Sequence, residues 1–384
     1  MAAGPALRVC KASSCNFAQG PQNFYQIMGR PCMADYISNM PENVISNILN
    51  RLPLTEAVTT SILAKNWRFK WTLLTDVILD EDFFYFLKSK FEGMHVTRLL
   101  LQLKGPIRRF VFSVEPKPLF AKDNFNYEEI HAWLLLLGQQ GIEELLIHNW
   151  YSEPVTLPTQ MYTRLELKHL KLHWCTLPSL VSFEGFPNLL TLELLSVKFL
   201  TGTIWDFIAG CPSVESLKIN RTDSKEMRLL DIARPGNLKK LYLSFSLLNQ
   251  VTTMTTYNIS QLSSLPKLES LTLDFQECKL LEEGSSWMNV PVAFVSLKNL
   301  NLSGVDFGNN AMVAFIIQMI RGAPRLQMLE TRCVLACSPL LKNLYIKPYT
   351  LHDDHNENVM MNWELARELL KLHRASPTAV VEFF

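Results

Sequence analysis

Histidine, cysteine and acidic side chains are the groups that most often bind metals or carry out catalysis, and here they form few groupings. His169 and His173 lie on one face of a predicted strand, and residues 352–355 read HDDH. Cys333 and Cys337 lie close together without a second pair. Each grouping could bind a metal, but none has further ligands at a suitable spacing. We therefore interpret the histidines and residues 352–355 as solvent-facing, and the two cysteines as buried thiols.

Motifs that would indicate an enzyme are also missing from the sequence. It contains no G-x-S-x-G, G-x-G-x-x-G or H-E-x-x-H motif and no phosphate-binding loop. No group of residues combines a nucleophile, a base and an orienting partner. We therefore expect no enzymatic activity, no cofactor and no metal. An enzyme whose site is built from scattered residues remains an alternative.

Charge and cysteine usage restrict the partners and the compartment. The 384 residues include 37 basic and 36 acidic side chains, for a net charge of +1, which argues against bulk attraction to nucleic acid or anionic membranes. The 8 cysteines are scattered, as in a reducing compartment, so we expect the nucleus and/or the cytoplasm. No apolar run is long enough for a membrane span. A transit peptide remains open, because the first 30 residues contain no acidic side chain.

Residues 35–75 form the first organised segment. Pro41 can begin a helix, Pro53 ends it, Thr55 can cap a second helix, and Trp67 and Trp71 share a face of a third. So small a unit rarely buries enough apolar surface to be stable alone. Its apolar residues must therefore pack on the rest of the chain as a cap, or be covered by a partner protein.

The same segment resembles an F-box. The resemblance runs in order through Met40-Pro41-Glu42, Ile48-Leu49, Leu52-Pro53, Ala57-Val58, Lys65-Asn66-Trp67-Arg68 and Trp71. Lys70 departs from the pattern, because an apolar residue is commoner there. The resemblance implies binding to a Skp-type adaptor and, through it, to a cullin. Some of the residues predicted to bind the adaptor instead hold the helices together, and the sequence does not separate the two groups. The predicted residues are Pro41, Ile45, Ile48, Leu49, Leu52, Pro53, Val58, Leu63, Trp67 and Trp71.

A leucine pattern, L-x-x-L-x-L, recurs through the middle of the chain, mostly at intervals of about 22 to 30 residues. Its copies begin at Ile142, Leu167, Leu189, Val214, Leu238, Leu268, Leu297 and Leu341, with a weaker copy at Leu326. The copy at Leu167 continues to Cys175 and Leu177, which completes the leucine-rich-repeat signature. The sequence therefore predicts an α/β fold, in which a short three-helix F-box precedes a leucine-rich-repeat solenoid with a parallel concave sheet.

The residues between the leucines of each strand should point to the concave face. They are mixed in charge and lack the continuous basic and aromatic stripe that nucleic acid requires, so a protein or a small-molecule ligand fits better. We expect an unknown protein target and neither nucleic acid nor membrane. The candidate target-binding residues are His169, Lys171, His173, Glu193, Leu195, Lys218, Lys240, Tyr242 and Asp274.

The remaining segments complete the predicted organisation. Residues 1–34 are interpreted as a disordered arm, 35–75 as the F-box, 76–141 as irregular opening repeats and 142–347 as leucine-rich repeats. Within 76–141, Val96 to Leu101 and Ile107 to Phe112 are predicted strands. Residues 348–384, with the sequence RASP at 374–377, resemble the end of the FBD module of plant F-box/LRR proteins and are expected to cap the array.

Taken with the resemblance, this organisation indicates the substrate-recognition subunit of an SCF-type cullin–RING ubiquitin ligase. The alternative is a leucine-rich-repeat scaffold that binds proteins without a ubiquitin ligase role. Met33 is a second possible start, which intact-mass analysis of the native protein tests: a mass that corresponds to the full-length chain alone contradicts it.

Overall fold

Short helices occupy the N-terminal end of the described chain and recur between the later strands. The computed structural model describes residues 40–87, 94–114, 127–138, 140–150, 153–163, 166–221, 232, 236–245, 252–255, 260–275, 278–281, 293–304, 310–330, 343–346 and 380–383. The α-helices are α1 (Glu42–Leu49), α2 (Leu54–Thr59), α3 (Glu81–Leu87), α4 (Met94–Gln102), α5 (Tyr127–Leu137), α6 (Ile204–Ala209) and α7 (Asn310–Arg321). Single 3-10 turns cover Thr60–Ile62, Lys65–Trp67, Lys70–Leu73, Thr159–Thr163, Leu180–Ser182 and Gln261–Ser264.

The strands make up most of the regular structure after residue 75. They are β1 (Asp76–Leu79), β2 (Arg109–Val114), β3 (Glu144–Asn149), β4 (Val155–Thr156), β5 (His169–His173), β6 (Cys175–Leu177), β7 (Thr191–Leu195), β8 (Lys198–Phe199), β9 (Ser216–Asn220), β10 (Lys240–Ser244), β11 (Thr252–Thr255), β12 (Ser270–Asp274), β13 (Cys278–Leu281), β14 (Asn299–Ser303), β15 (Met328–Glu330), β16 (Asn343–Ile346) and β17 (Val380–Phe383).

One long parallel sheet organises the repeats. Among the described residues, 12 strands pair in the order β1-β2-β3-β5-β7-β9-β10-β12-β14-β15-β16-β17. Smaller parallel sheets join β4, β6 and β8, and β11 with β13. Because each strand of the long sheet pairs with the strand of the next repeat, the fold is the predicted α/β leucine-rich-repeat array.

The leucine pattern explains this sheet. In β5, β7, β9 and β12 buried residues alternate with half-exposed ones. Leu170, Leu192 and Leu217 occupy the same register on neighbouring strands and are 2% exposed or less. Burying a leucine side chain stabilises a fold by about 1.5–3 kcal/mol, so stacked leucines hold successive repeats together. The half-exposed residues lie on the other face of the sheet, which we call the open face.

The turn before β7 packs against the end of α6 so closely that Gly185 has no space for a side chain. Gly185 has a φ of +102°, and a Cβ atom there would lie 2.3 Å from the carbonyl oxygen of Gly210. The backbone N–H of Phe186 donates to the same oxygen at 2.8 Å. Phe183 stacks on Phe207 of α6 with ring centroids 4.7 Å apart. Glycine is thus required where the two repeats approach each other.

Residues 76–141 already belong to the sheet, but one predicted strand is wrong. β1 and β2 are parallel neighbours at the start of the sheet, and β2 begins two residues later than predicted. Residues 96–101 lie in helix α4, where Val96 and Leu100 are buried and Leu101 is 66% exposed. Two buried residues four positions apart fit a helix with one face in the core. An apolar run of this length did not distinguish the two structures.

The chain divides by its contacts into Met1–Met40 and Pro41–Phe384, and all of these helices and strands lie in the second part. The predicted disordered arm, residues 1–34, lies outside the described residues. The tail residues 374–377 lie outside them as well, whereas β17 pairs with β16 at the end of the sheet. Within the described part of the chain, no helix is long and apolar enough to cross a membrane.

Candidate functional site

The helical segment after Met40 exposes a group of large apolar side chains. Val44, Ile48, Ile62, Leu63 and Phe69 are 37%, 39%, 83%, 71% and 62% exposed. They come from α1, from the end of the turn after α2, and from the loop between the two tryptophan-bearing turns. We call these five residues the apolar face. Large apolar side chains exposed within one short segment indicate a surface for a partner.

Other residues predicted to bind the adaptor are buried inside this chain. Ile45 is 1% exposed and Leu49 is 0% exposed, and Trp67 and Trp71 are 7% and 9% exposed. Helix α1 packs on the turn at Lys70–Leu73. These four side chains therefore hold the helices together, and a partner cannot contact Ile45 or Leu49 directly without unfolding the segment.

The remaining predicted adaptor residues lie at intermediate or exposed positions. Pro41 and Pro53 are exposed, and Leu52 and Val58 are half-buried. With Ile48 and Leu63 they leave six predicted residues that a partner could reach. Three residues of the apolar face, Val44, Ile62 and Phe69, were not among the predicted residues. Their apolar side chains were the only indication in the sequence, and the assumption that the whole segment is helical did not place them on the surface.

Polar contacts join this segment to the first strand of the sheet. The Asn50 amide donates to Thr75 Oγ1 at 2.8 Å, and its oxygen accepts from the Thr75 N–H at 3.2 Å. The Ser46 hydroxyl donates to the Leu73 carbonyl at 2.9 Å. Lys70, the departure from the F-box pattern, lies 3.8 Å from the Glu42 carboxylate. The Lys70 ammonium thus lies near a carboxylate at a position where the F-box pattern more commonly has an apolar side chain.

The open face brings four of the candidate target-binding residues into one row. Lys171, Glu193, Lys218 and Tyr242 occupy the same register on β5, β7, β9 and β10. Lys171 Nζ lies 2.7 Å from Glu193 Oε1, and Lys218 Nζ lies 5.2 Å from the centre of the Tyr242 ring. Burial, assisted by a hydrogen bond to Asp274, raises the pKa of Tyr242. The row therefore contains two separate side-chain contacts, an ion pair between Lys171 and Glu193 and a cation–π contact between Lys218 and Tyr242.

A second row at the carboxyl ends of the strands is aromatic. His148 and His173 are register partners with ring centroids 5.9 Å apart, and Leu195 is the next partner of His173. The Trp150 ring lies 4.2 Å from that of His173, centroid to centroid, and Trp150 is 47% exposed. Sequence reasoning missed His148 and Trp150, although both follow the same strand period as the predicted residues.

Of the last three candidates, Asp274 lies at the end of β12, and the other two, His169 and Lys240, lie at the beginning of their strands. His169 is half-exposed and Lys240 is exposed. The start of β5 pairs with Thr191, and the start of β10 pairs with Ser216. They therefore share a register row with each other but not with the aromatic row.

The possible metal site at His169 and His173 is not formed. Four residues of extended strand separate their Cα atoms by about 13 Å, which is too far for a shared ion. The described residues contain no group of three or more histidine, cysteine, aspartate or glutamate side chains that could hold a metal. Residues 352–355, Cys333 and Cys337 lie outside the described residues.

The fold and its two surfaces define a leucine-rich-repeat protein with a helical segment that exposes an apolar face. Comparison with known proteins extends this assignment. Residues 37–75 match the F-box domain model, and residues 130–265 match the model described as "FBD-associated F-box protein At5g56370, LRR repeats".

Relatives of similar organisation occur in Arabidopsis thaliana. The F-box/FBD/LRR-repeat protein At1g13570 is 27% identical over 345 residues, which cover 83% of this chain and 79% of the relative. The FBD-associated F-box protein At4g10400 is 27% identical over 344 residues, which cover 86% of this chain and 81% of that protein. The resemblance to the plant F-box/FBD/LRR-repeat family is thereby confirmed: the chain carries an F-box and leucine-rich repeats of the FBD-associated type.

Proposed function

We propose that this chain is the substrate-recognition subunit of an SCF-type cullin–RING ubiquitin ligase. Its F-box binds a Skp-type adaptor, the adaptor connects it to a cullin, and the open face of the repeats binds a target protein. The chain itself contributes no catalytic residue. It accelerates ubiquitin transfer by holding a target lysine at high effective concentration beside the charged enzyme.

The observation that supports adaptor binding is the apolar face. A segment that served only as a cap would turn its apolar residues towards the repeats. Ile45 and Leu49 are buried among the helices and turns of the segment itself, but Ile62 and Leu63 are 83% and 71% exposed on the same segment. Exposed apolar residues cost solubility unless a partner covers them, so this surface favours a binding module over the scaffold alternative.

Cullin recruitment tests the ligase role. The tagged full-length chain is incubated with purified Skp-type adaptor, with cullin, or with both, and the retained proteins are identified. We expect cullin to be retained only when adaptor is present. The double variant Ile62→Asp and Leu63→Asp should lose both proteins. Adaptor retained without cullin, under conditions in which a known F-box protein recruits cullin, would contradict the ligase role.

A further inference from the structure

The aromatic row forms an uncharged area on the open face. We call His148, Trp150, His173 and Leu195 the aromatic patch; it spans β3, β5 and β7. At equivalent positions further along the sheet the open face carries Asn220, Asp274 and Ser303. Trp150 is 47% exposed and packs on His173. The patch therefore offers an apolar contact that these equivalent positions on the described later strands do not offer.

The two imidazoles of the patch are neutral at physiological pH. Burial lowers the pKa of His173 from 6.5 to about 4, and the neighbouring His148 contributes in the same direction. Burial also lowers the pKa of His148. Nδ1 of His173 is buried and has no hydrogen-bond partner in the described structure. A buried polar atom without a partner is uncommon in native proteins and calls for an explanation.

Cationic side chains lie next to the patch. Lys218 is on β9, two residues before Asn220, which is the register partner of Leu195. Lys171 is paired with Glu193, whereas Lys218 lies over the Tyr242 ring. In the described part of the chain, no carboxylate lies within ion-pair distance of Lys218 or Lys240. The centre of the open face therefore has ammonium groups available for an anionic partner.

The spacing between the two features fits a short extended peptide. Neighbouring strands lie about 4.8 Å apart, so β9 is about 10 Å from β5 across the sheet. An extended chain covers that distance with about three residues. An apolar side chain on the patch and an anionic group at Lys218 can thus belong to one segment.

We propose that the target of this protein presents an acidic segment in which an apolar side chain is followed, within about three residues, by a carboxylate. The apolar side chain contacts Trp150, His173 and Leu195, and the carboxylate binds Lys218 with help from Lys240. This inference rests on the proposed function, because it assumes that the open face binds the target.

A peptide selection tests the inference on the full chain in complex with its adaptor. A display library of random nine-residue peptides serves as the probe, and the dissociation constants of enriched peptides are measured by fluorescence anisotropy. Enriched peptides should share the apolar-to-acidic spacing. Trp150→Ala should weaken their binding about tenfold or more, and Trp150→Phe should restore most of it. Val181→Ala, at a side chain 93% exposed outside the open face, is the control.

A charge-reversal variant distinguishes specific binding at this surface from non-specific peptide binding. Lys218→Glu should weaken the acidic peptides by about fivefold or more and favour versions in which lysine replaces the acidic residue. No enriched peptide, or enriched peptides that bind both variants like the wild type, would overturn the inference. Adaptor binding is measured in parallel. A wild-type chain that ignores the adaptor refutes the proposed function, whereas adaptor binding without patch-dependent peptide binding refutes this inference alone.

Discussion

Substitution of two F-box leucines by alanine should have different effects, one on adaptor affinity and the other on stability. Leu63 is 71% exposed and Leu49 is 0% exposed, although both lie in the same short segment. If the adaptor covers the apolar face, Leu63→Ala removes contacts made only in the complex. Leu49→Ala instead removes contacts made within the folded chain. The first variant should change affinity, and the second should change stability.

The exposed fraction sets the expected size of the affinity change. Complete burial of a leucine side chain is worth about 1.5–3 kcal/mol, so the exposed share of Leu63 corresponds to about 1–2 kcal/mol when a partner covers it. That energy is a loss of about 5- to 30-fold in adaptor affinity. Leu49→Ala leaves a cavity and should lower the free energy of unfolding by about 2–5 kcal/mol.

Biolayer interferometry with the immobilised full chain gives the adaptor affinity, and thermal unfolding followed by tryptophan fluorescence gives the stability. Val181→Ala, which is exposed but lies in the repeats, is the matched control for both. Wild-type affinity for Leu63→Ala would refute the assignment of the apolar face. A loss of affinity without destabilisation in Leu49→Ala would refute the distinction between core and surface.

Three further changes test the repeats. Gly185→Ala forces a Cβ atom against the Gly210 carbonyl oxygen at a φ of +102° and should cost about 1–3 kcal/mol in denaturant unfolding, whereas Gly105→Ala, which meets nothing within 4 Å, should be nearly neutral. Asn149→Ala removes an amide that is buried and donates to two carbonyl oxygens at 2.7 and 3.1 Å, and should lower the free energy of unfolding by about 1–3 kcal/mol; an unchanged melting temperature would contradict it. Folding lowers the pKa of His173 from 6.5 to about 4, so the unfolded chain takes up this proton at a higher pH than the folded chain does. The free energy of unfolding should therefore decrease as pH falls from 6.5 to about 4. The His173→Gln variant should show a shallower decrease over the same range.

The regular repeats could be predicted because each leucine has a single role. The spacing of Leu170, Leu192 and Leu217 follows the strand period, and all three are buried in register. A strand with one buried face leaves no freedom in which side chains point outward. For this reason the predicted outward residues Lys171, Glu193 and Lys218 do lie in one row of the open face.

The F-box core could not be separated from its surface in the same way. Helical spacing places Ile45, Ile48 and Leu49 on adjoining positions, but only Ile48 is exposed. The later part of the segment consists of 3-10 turns, at Thr60–Ile62 and Lys65–Trp67, where helical spacing no longer assigns a face. The exposure of Ile62 therefore could not be predicted, because it depends on the geometry of a 3-10 turn that the sequence pattern does not reveal.

The contacts between side chains of the open face also went beyond the sequence pattern. The pattern placed His173 and Leu195 on this face, but it did not show that Trp150, which follows the preceding strand, packs on the His173 ring. Nor did it show that the Lys218 ammonium lies over the Tyr242 ring, whereas Lys171 forms an ion pair with Glu193. Such choices depend on rotamers and on distances between repeats, which a period alone does not fix.

Co-expression of the full chain with a Skp-type adaptor tests whether the helical segment binds that adaptor. Size exclusion with light scattering measures the mass of the product. We predict a complex of one chain and one adaptor, which the double variant Ile62→Asp and Leu63→Asp does not form. A soluble monomer that remains free of adaptor would contradict it and leave the helical segment as a cap on the repeats.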